Sequence, residues 1–258
     1  MKTCREQEFL VPEPAVITNK TNLMKRICFM VLLILTAHFL KAQPVKIMLV
    51  TGGHAFDTIP FFDLFDSFKD IQYEHIQQPK ANNQISLGKT DDYDVLVFYD
   101  MWQSIGELEK LGYLRLATEG KPMLFLHHSI VSYQNWPEFE KIVGGKYVEK
   151  ARNVPPEEQS NYEHDVWVYS KVENITPVTK GFNELRFFDE IYGNVKISDE
   201  ILPLLKTRHP KSMEIIAWEN RYKNSKIVYI QPGHDYRTYG DESYRKLLSQ
   251  AIHYLAGK

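Results

Sequence analysis

Three apolar runs, Ile47-Met-Leu-Val50, Met123-Leu-Phe-Leu126 and Ile227-Val-Tyr-Ile230, end abruptly, and each is followed within a few residues by histidine. Runs this short without polar alternation suit strands covered on both faces, which is the condition of a central parallel sheet. The turns that follow are Thr51-Gly-Gly-His54, His127-His128-Ser129 and Gln231-Pro-Gly-His234. Parallel strands need crossover connections, and the intervening sequence supplies helical patterns. Phe61, Phe62, Leu64, Phe65 and Phe68 recur at roughly helical spacing behind Pro60, and Ile105 to Glu119 reads as a helix closed by Gly120 and Pro122. Tyr93 to Asp100 and Ile71 to Ile76 read as further strands. Strands alternating with helices predict one α/β domain of right-handed βαβ units.

The C-terminal third breaks this rhythm. Glu214 to Glu219 and Lys226 to Ile230, joined by residues 220 to 225, predict an antiparallel hairpin, and Asp241 to Leu255 an amphipathic closing helix. Between the halves lie a short helix at Trp136 to Val143 ended by Gly144-Gly145, a polar loop over 148 to 163, and a strand at His164 to Ser170.

The front of the chain has a different composition. Met24-Lys-Arg, the apolar stretch Ile27 to Leu40 and Lys41-Ala-Gln43 follow the order of a secretory signal, and the apolar stretch is short for a membrane span. The expected organisation is therefore an over-extended N-terminus at 1–23, a signal peptide at 24–42, and a single domain at 43–258. Such a chain is exported, to a bacterial periplasm or beyond, with no membrane attachment after cleavage. Both cysteines, Cys4 and Cys28, precede residue 43. The remaining 216 residues have none, which removes disulfides, thiolate metal sites and a cysteine nucleophile. Over 43–258, 30 acidic residues outnumber 25 basic ones. A mildly acidic chain without a basic stripe argues against nucleic acid as a partner.

In open parallel sheets, ligands bind beyond the carboxyl ends of the strands. His54, Asp100, Trp102, His127, His128, Ser129 and His234 all follow predicted strands, so the sequence places them along one edge. Neutral imidazoles with a carboxylate, Glu190 or Asp100, suit Zn²⁺ or a similar divalent ion, with His54, His127 or His128, and His234 as ligands. No short-spaced motif such as H-E-x-x-H is present, so these ligands come from distant segments. Ser129 resembles a nucleophile at a strand-to-helix elbow, but His127 and Val131 stand where that turn requires small residues. Thr51-Gly-Gly is short for an anion cradle and reads as a tight turn. Asp189-Glu190-Ile-Tyr192 offers a base or ligand and a phenol, and Trp102, Tyr192 and Tyr236 could flank a sugar.

Taken in order, Thr51-Gly-Gly-His-Ala-Phe-Asp57, Leu126-His-His-Ser129 with Trp136 and Ile142-Val-Gly-Gly145, Ile175-Thr-Pro-Val-Thr-Lys-Gly-Phe182, Asp189-Glu-Ile-Tyr192, Ala217-Trp-Glu219 and Val228-Tyr-Ile-Gln-Pro-Gly-His-Asp235 resemble the ThuA-like (trehalose utilisation) family across roughly 45–257. The resemblance implies a flavodoxin-like, class I glutamine-amidotransferase-like three-layer sandwich with a mostly parallel central sheet and without the amidotransferase cysteine. It also implies carbohydrate catabolism, including 3-keto derivatives of disaccharides and glycosides, and metal in some members. By position it puts His127, Glu190 and His234 in catalytic roles and His54, His127 and His234 at a metal. Trp102, His128, Ser129, Tyr192 and Tyr236 are then expected to contact substrate. His128 departs from the small residue common in that motif. The expectation is an exported lyase or hydrolase acting on a carbohydrate, possible as a homo-oligomer; the alternative is a carbohydrate-binding protein without catalysis.

Overall fold

The computed structural model describes residues 43–151 and 153–258. The signal-peptide and start-site readings, and both cysteines, fall outside the described residues.

Five parallel strands form the centre. They are β1 (Val45–Gly52), β2 (Ile71–Gln77), β3 (Val95–Asp100), β4 (Met123–Leu126) and β11 (Ser225–Ile230), in spatial order β2-β1-β3-β4-β11. β3 and β4 are buried at every position, as expected of sequences that are apolar throughout but for Asp100 at the end of β3. Helices α1 (Thr58–Asp66), α2 (Lys80–Ser86) and α3 (Glu107–Glu119) make the first crossovers. Helix α5 (Glu242–Ala256) packs on β1, β3, β4 and β11 through Leu247, Leu248, Ala251, Ile252 and Leu255. It starts where predicted, because the Asp241 carboxylate accepts from the backbone N–H groups of Ser243 and Tyr244.

The hairpin is β10 (Ile215–Tyr222) against β11, and it begins an antiparallel extension. Strands β9 (Leu202–Thr207), β6 (Asn161–Val172) and β7 (Glu184–Gly193) complete a nine-stranded sheet ordered β2-β1-β3-β4-β11-β10-β9-β6-β7. Residues 186–192 thus belong to a long edge strand, and β9 is a strand that the hydrophobic pattern did not announce. A two-stranded ribbon, β5 (Gly145–Lys146) with β8 (Lys196–Ile197), ties α4 (Pro137–Val143) to the extension. Trp218 anchors that region. It is fully buried, donates its indole N–H to the Val143 carbonyl at 2.8 Å and packs at a tilt on Tyr229, ring centres 4.3 Å apart. The sequence places a loop at 148–163; its end instead belongs to β6, which starts at Asn161. No helix among the described residues is long and apolar enough to cross a membrane.

Asp100 is at the end of β3 but does not reach the sheet edge's outer surface. It is buried, and accepts from the Gln78 side-chain amide at 2.8 Å within a network that includes Asn82 and Tyr133. Burial, only partly offset by that bond, pushes its pKa up to about 7. It therefore supports the floor and is not a ligand in the site.

The turn after β1 has no room for a side chain. Gly53 has φ +83°, and a Cβ there lies 2.0 Å from the Met101 carbonyl oxygen. Left-handed strain and the backbone clash together predict that Gly53→Ala destabilises the fold by about 3 kcal/mol. Urea unfolding of the two proteins measures this; a loss below about 1 kcal/mol contradicts the assigned turn.

Candidate active site

The residue after β4, His127, adopts φ +46°, a left-handed conformation uncommon for a side chain this large. Two hydrogen bonds hold it there. The Tyr229 hydroxyl donates to its carbonyl at 2.9 Å, and its ring Nδ1 lies 2.7 Å from the Gln231 carbonyl. A carbonyl only accepts, so Nδ1 carries the proton and Nε2 points inward as the functional atom. Around Nε2 lie the Tyr192 hydroxyl at 3.0 Å, His234 Nδ1 at 3.2 Å and Glu190 Oε1 at 3.4 Å.

Glu190 and Tyr192 come from β7, the far edge of the sheet. Asp189 brings that edge to the end of β11. Its buried carboxylate accepts from the backbone N–H of Gly233 at 2.7 Å, of His234 at 3.1 Å and of Glu190 at 2.7 Å, and from the Thr238 hydroxyl at 2.6 Å. The Gln231 side-chain amide adds a 2.6 Å bond to the Glu190 carbonyl. His127, Glu190 and His234 therefore meet as the sequence predicted, with their third dimension supplied by Asp189.

Beside His127 and His234, Glu190 has a third histidine partner that sequence reasoning missed. His164 Nδ1 lies 2.7 Å from Glu190 Oε2, and its ring is 4.8 Å from that of His234. A bulge directs it: β6 gains one residue over β7 between Glu163 and Val166, with Asp165 at φ +60°. Because His164 opens an alternating run in an antiparallel strand, no strand-end rule marks it.

A cavity of about 250 Å³ opens over His127, Glu190 and His164, while His234 is not among its lining residues. His54, Met101, His127, His128, Val131, Tyr147, Glu149, Tyr162, His164, Glu190 and Tyr192 line it. Both members of the His127-His128 pair thus face the cavity. The His128 ring lies tilted against His54 at 4.7 Å and Tyr99 at 4.3 Å, and neither of its ring nitrogens has a geometrically sound hydrogen bond among the described residues. Burial, then the neighbouring His127, His54 and His234, holds it neutral, with the Tyr99 backbone working the other way. A neutral imidazole presents one donor and one acceptor, the complement of a hydroxyl group. Ser129 is fully buried, and it, Trp102 and Tyr236 are not among the lining residues. Trp102 instead holds the neighbouring turn through its backbone, accepting from Tyr133 N–H and donating to Ser132 Oγ.

The ionisation pattern separates the site into an acid and a base. Burial opposes charge on His127, but Glu190, reinforced by Asp189 and the Gln231 carbonyl, raises its pKa above the ordinary histidine value. Burial would lift Glu190, yet His127, His234 and His164 hold its carboxyl below the usual range. Burial and the adjacent His127 keep His234 below the ordinary value. Charge is thus favoured on His127 and Glu190 together and disfavoured on His234.

The same donors fit a divalent cation. One ligand atom each from His127, Glu190 and His234 lie within 4.8 Å of one another, and the Nδ1–H of His127 on a backbone carbonyl is the usual outer-shell support for an imidazole ligand. His54, expected from the sequence as a ligand, stands outside this group, with Nδ1 on the Ala55 carbonyl at 2.6 Å; Glu190 takes the third place.

In metal-free protein, histidine NMR titration should place the His127 pKa above 6.5, the ordinary value. Glu190→Gln leaves burial without its opposing charge, so that pKa should fall below 6.5. An unchanged value contradicts the pairing.

The sequence profile of the trehalose utilisation family, ThuA, matches residues 54–255. No curated protein matches the chain. Among solved structures, a ThuA-like protein from Parabacteroides merdae is similar at TM-score 0.68 and 17% identity, over 84% of this chain and 91% of that one. A ThuA-like protein from Bacteroides uniformis gives TM-score 0.60 at 19% identity, covering 84% and 93%. PurLQS from Thermotoga maritima gives 0.51 at 16%, covering 83% and 100%. At these identities the solved structures establish the fold, a flavodoxin-like sandwich, while the profile match covers most of the domain. The chain belongs to the ThuA family, described by its role in trehalose utilisation.

Proposed function

We propose that the protein is an enzyme of carbohydrate catabolism that cleaves a glycoside or disaccharide in its 3-keto form. The observation that carries this reading is the meeting of His127 Nε2 and Glu190 Oε1, 3.4 Å apart, at the wall of a polar cavity lined by His128, each favouring the charged form of the other. Acid and base poised together are what proton abstraction beside a carbonyl needs.

In a 3-keto glycoside the proton on C2 is acidified by the ketone, and the glycosidic oxygen on C1 lies β to it. Glu190 takes the C2 proton as its carboxylate. His127 donates from Nε2 to the oxygen on which the enolate charge develops, while Nδ1 remains on Gln231 and keeps the ring from turning. The enolate then expels the C1 oxygen, which takes a proton from water as it leaves, the C2 proton remaining on Glu190. The Glu190 proton has an exit through His164, which is half-exposed at the cavity mouth. His128 and His54 hold substrate hydroxyls. A divalent ion held by His127, Glu190 and His234 would take His127 Nε2 in place of its proton and would supply Lewis-acid polarisation of the ketone oxygen instead of that hydrogen bond. Export rests on the sequence of residues 24–42 and belongs to the same reading.

Incubation with 3-keto-trehalose, followed by product chromatography, should show release of glucose. Glu190→Gln and His127→Ala should each lower kcat/KM by about 10²-fold or more, the scale of a lost acid or base. Sugar binding without turnover, surviving both substitutions, selects a carbohydrate-binding protein instead. Parallel metal analysis should find stoichiometric ion lost on His234→Ala if the cation acts.

A further inference from the structure

The cavity divides into two chemically distinct parts. Its floor, His127, His128, Glu190 and Tyr192, is almost wholly buried, whereas Tyr162 at the mouth is 59% exposed. At about 250 Å³ it falls just below the roughly 300–1,000 Å³ of pockets that engulf drug-sized ligands, so it encloses one sugar ring and leaves a second on the rim. Two rim groups are left with unused polar atoms. The Glu149 carboxylate and the Tyr162 hydroxyl have no hydrogen-bond or ion-pair partner among the described residues, although both line the cavity.

Neither sits on a free loop. Glu149 N–H donates to the Gln134 side-chain oxygen at 3.2 Å, and the same amide donates to the Tyr147 carbonyl at 2.8 Å. Val148 and Ser160 exchange two bonds of 2.9 Å, which fastens this segment to the start of β6, where Tyr162 pairs with Tyr192. The rim is thus set before any ligand arrives, which lowers the ordering cost of binding.

We infer that Tyr162 and Glu149 form a second subsite that selects a neutral, polyhydroxylated leaving ring. A pyranose offers an apolar C–H face to a phenol and adjacent hydroxyls to a carboxylate that can accept from both. The negative charge of Glu149, with Glu190 behind it, disfavours an anionic ring at the same place. This inference rests on the glycoside-cleaving reading and adds the residues that recognise the departing half.

Initial rates on 3-keto-trehalose, methyl 3-keto-α-glucoside and 3-keto-trehalose phosphorylated on its leaving ring test it. The neutral two-ring substrate should exceed the other two by about tenfold in kcat/KM, mainly through KM. Tyr162→Ala and Glu149→Gln should abolish its advantage over the methyl glucoside while leaving methyl glucoside turnover unchanged, and Tyr162→Phe, which keeps the ring face but loses the unpartnered hydroxyl, should keep an intermediate advantage. Equal rates in the unmodified protein, an advantage that survives both substitutions, or an equal fall on both neutral substrates overturns the subsite alone. Absence of turnover on every substrate overturns the glycoside-cleaving reading, and the subsite with it.

Discussion

The hydrogen bond from His127 Nδ1 to the Gln231 carbonyl governs the arrangement of the site. It joins the ends of β4 and β11, neighbours in the parallel sheet, at the point where both chains leave it. It also settles the tautomer, so that Nε2 alone faces Glu190, His234 and Tyr192. The left-handed backbone at His127 is the local cost, of order 1–3 kcal/mol, met by the Tyr229 bond to its carbonyl. Relaxing that backbone would swing the ring away from every partner it has.

The two halves of the sheet contribute different chemistry. The parallel half ends in turns, and these deliver imidazoles from three separate connections. The antiparallel extension curls until its outermost strand lies over the end of β11, and delivers the carboxylate and two phenols. Asp189 is the fastening between them: its two oxygens accept four hydrogen bonds, three from backbone N–H groups. A carboxylate used in this way is fully occupied, which is why the reactive acid is its neighbour on the opposite face of the strand.

The parallel half was legible because burial on both faces leaves an unbroken apolar signature, and because strand ends in such sheets point one way. Hence β1, β3, β4 and β11, the hairpin, α3 with its glycine cap, and the convergence of His127 with His234 could all be read directly. The strand-end rule locates an edge but not a depth. Asp100 obeyed the rule and still lies beneath the site, because Gln78 reaches it from the β2–α2 connection. β7 and β9 alternate weakly, so nothing in their composition distinguishes them from loop. His164 depends on a one-residue bulge and on curvature of the extension, and these arise from tertiary packing. The aromatic residues show the same limit: Trp102 and Tyr236 were chosen for proximity to strand ends, whereas the phenols lining the cavity are Tyr147, Tyr162 and Tyr192.

Asp100 gives the domain a proton ledger that extends beyond its site. In an unfolded chain this carboxyl ionises near 3.8, whereas inside the fold it holds its proton to about pH 7. Between those values the folded state binds more protons than the unfolded one, so folding takes up hydrogen ions and stability declines as pH rises through that window. Above it the loss is complete, and a negative charge rests on Gln78 under the end of β3. The heat of folding in this range must therefore contain a contribution from the buffer that supplies the proton.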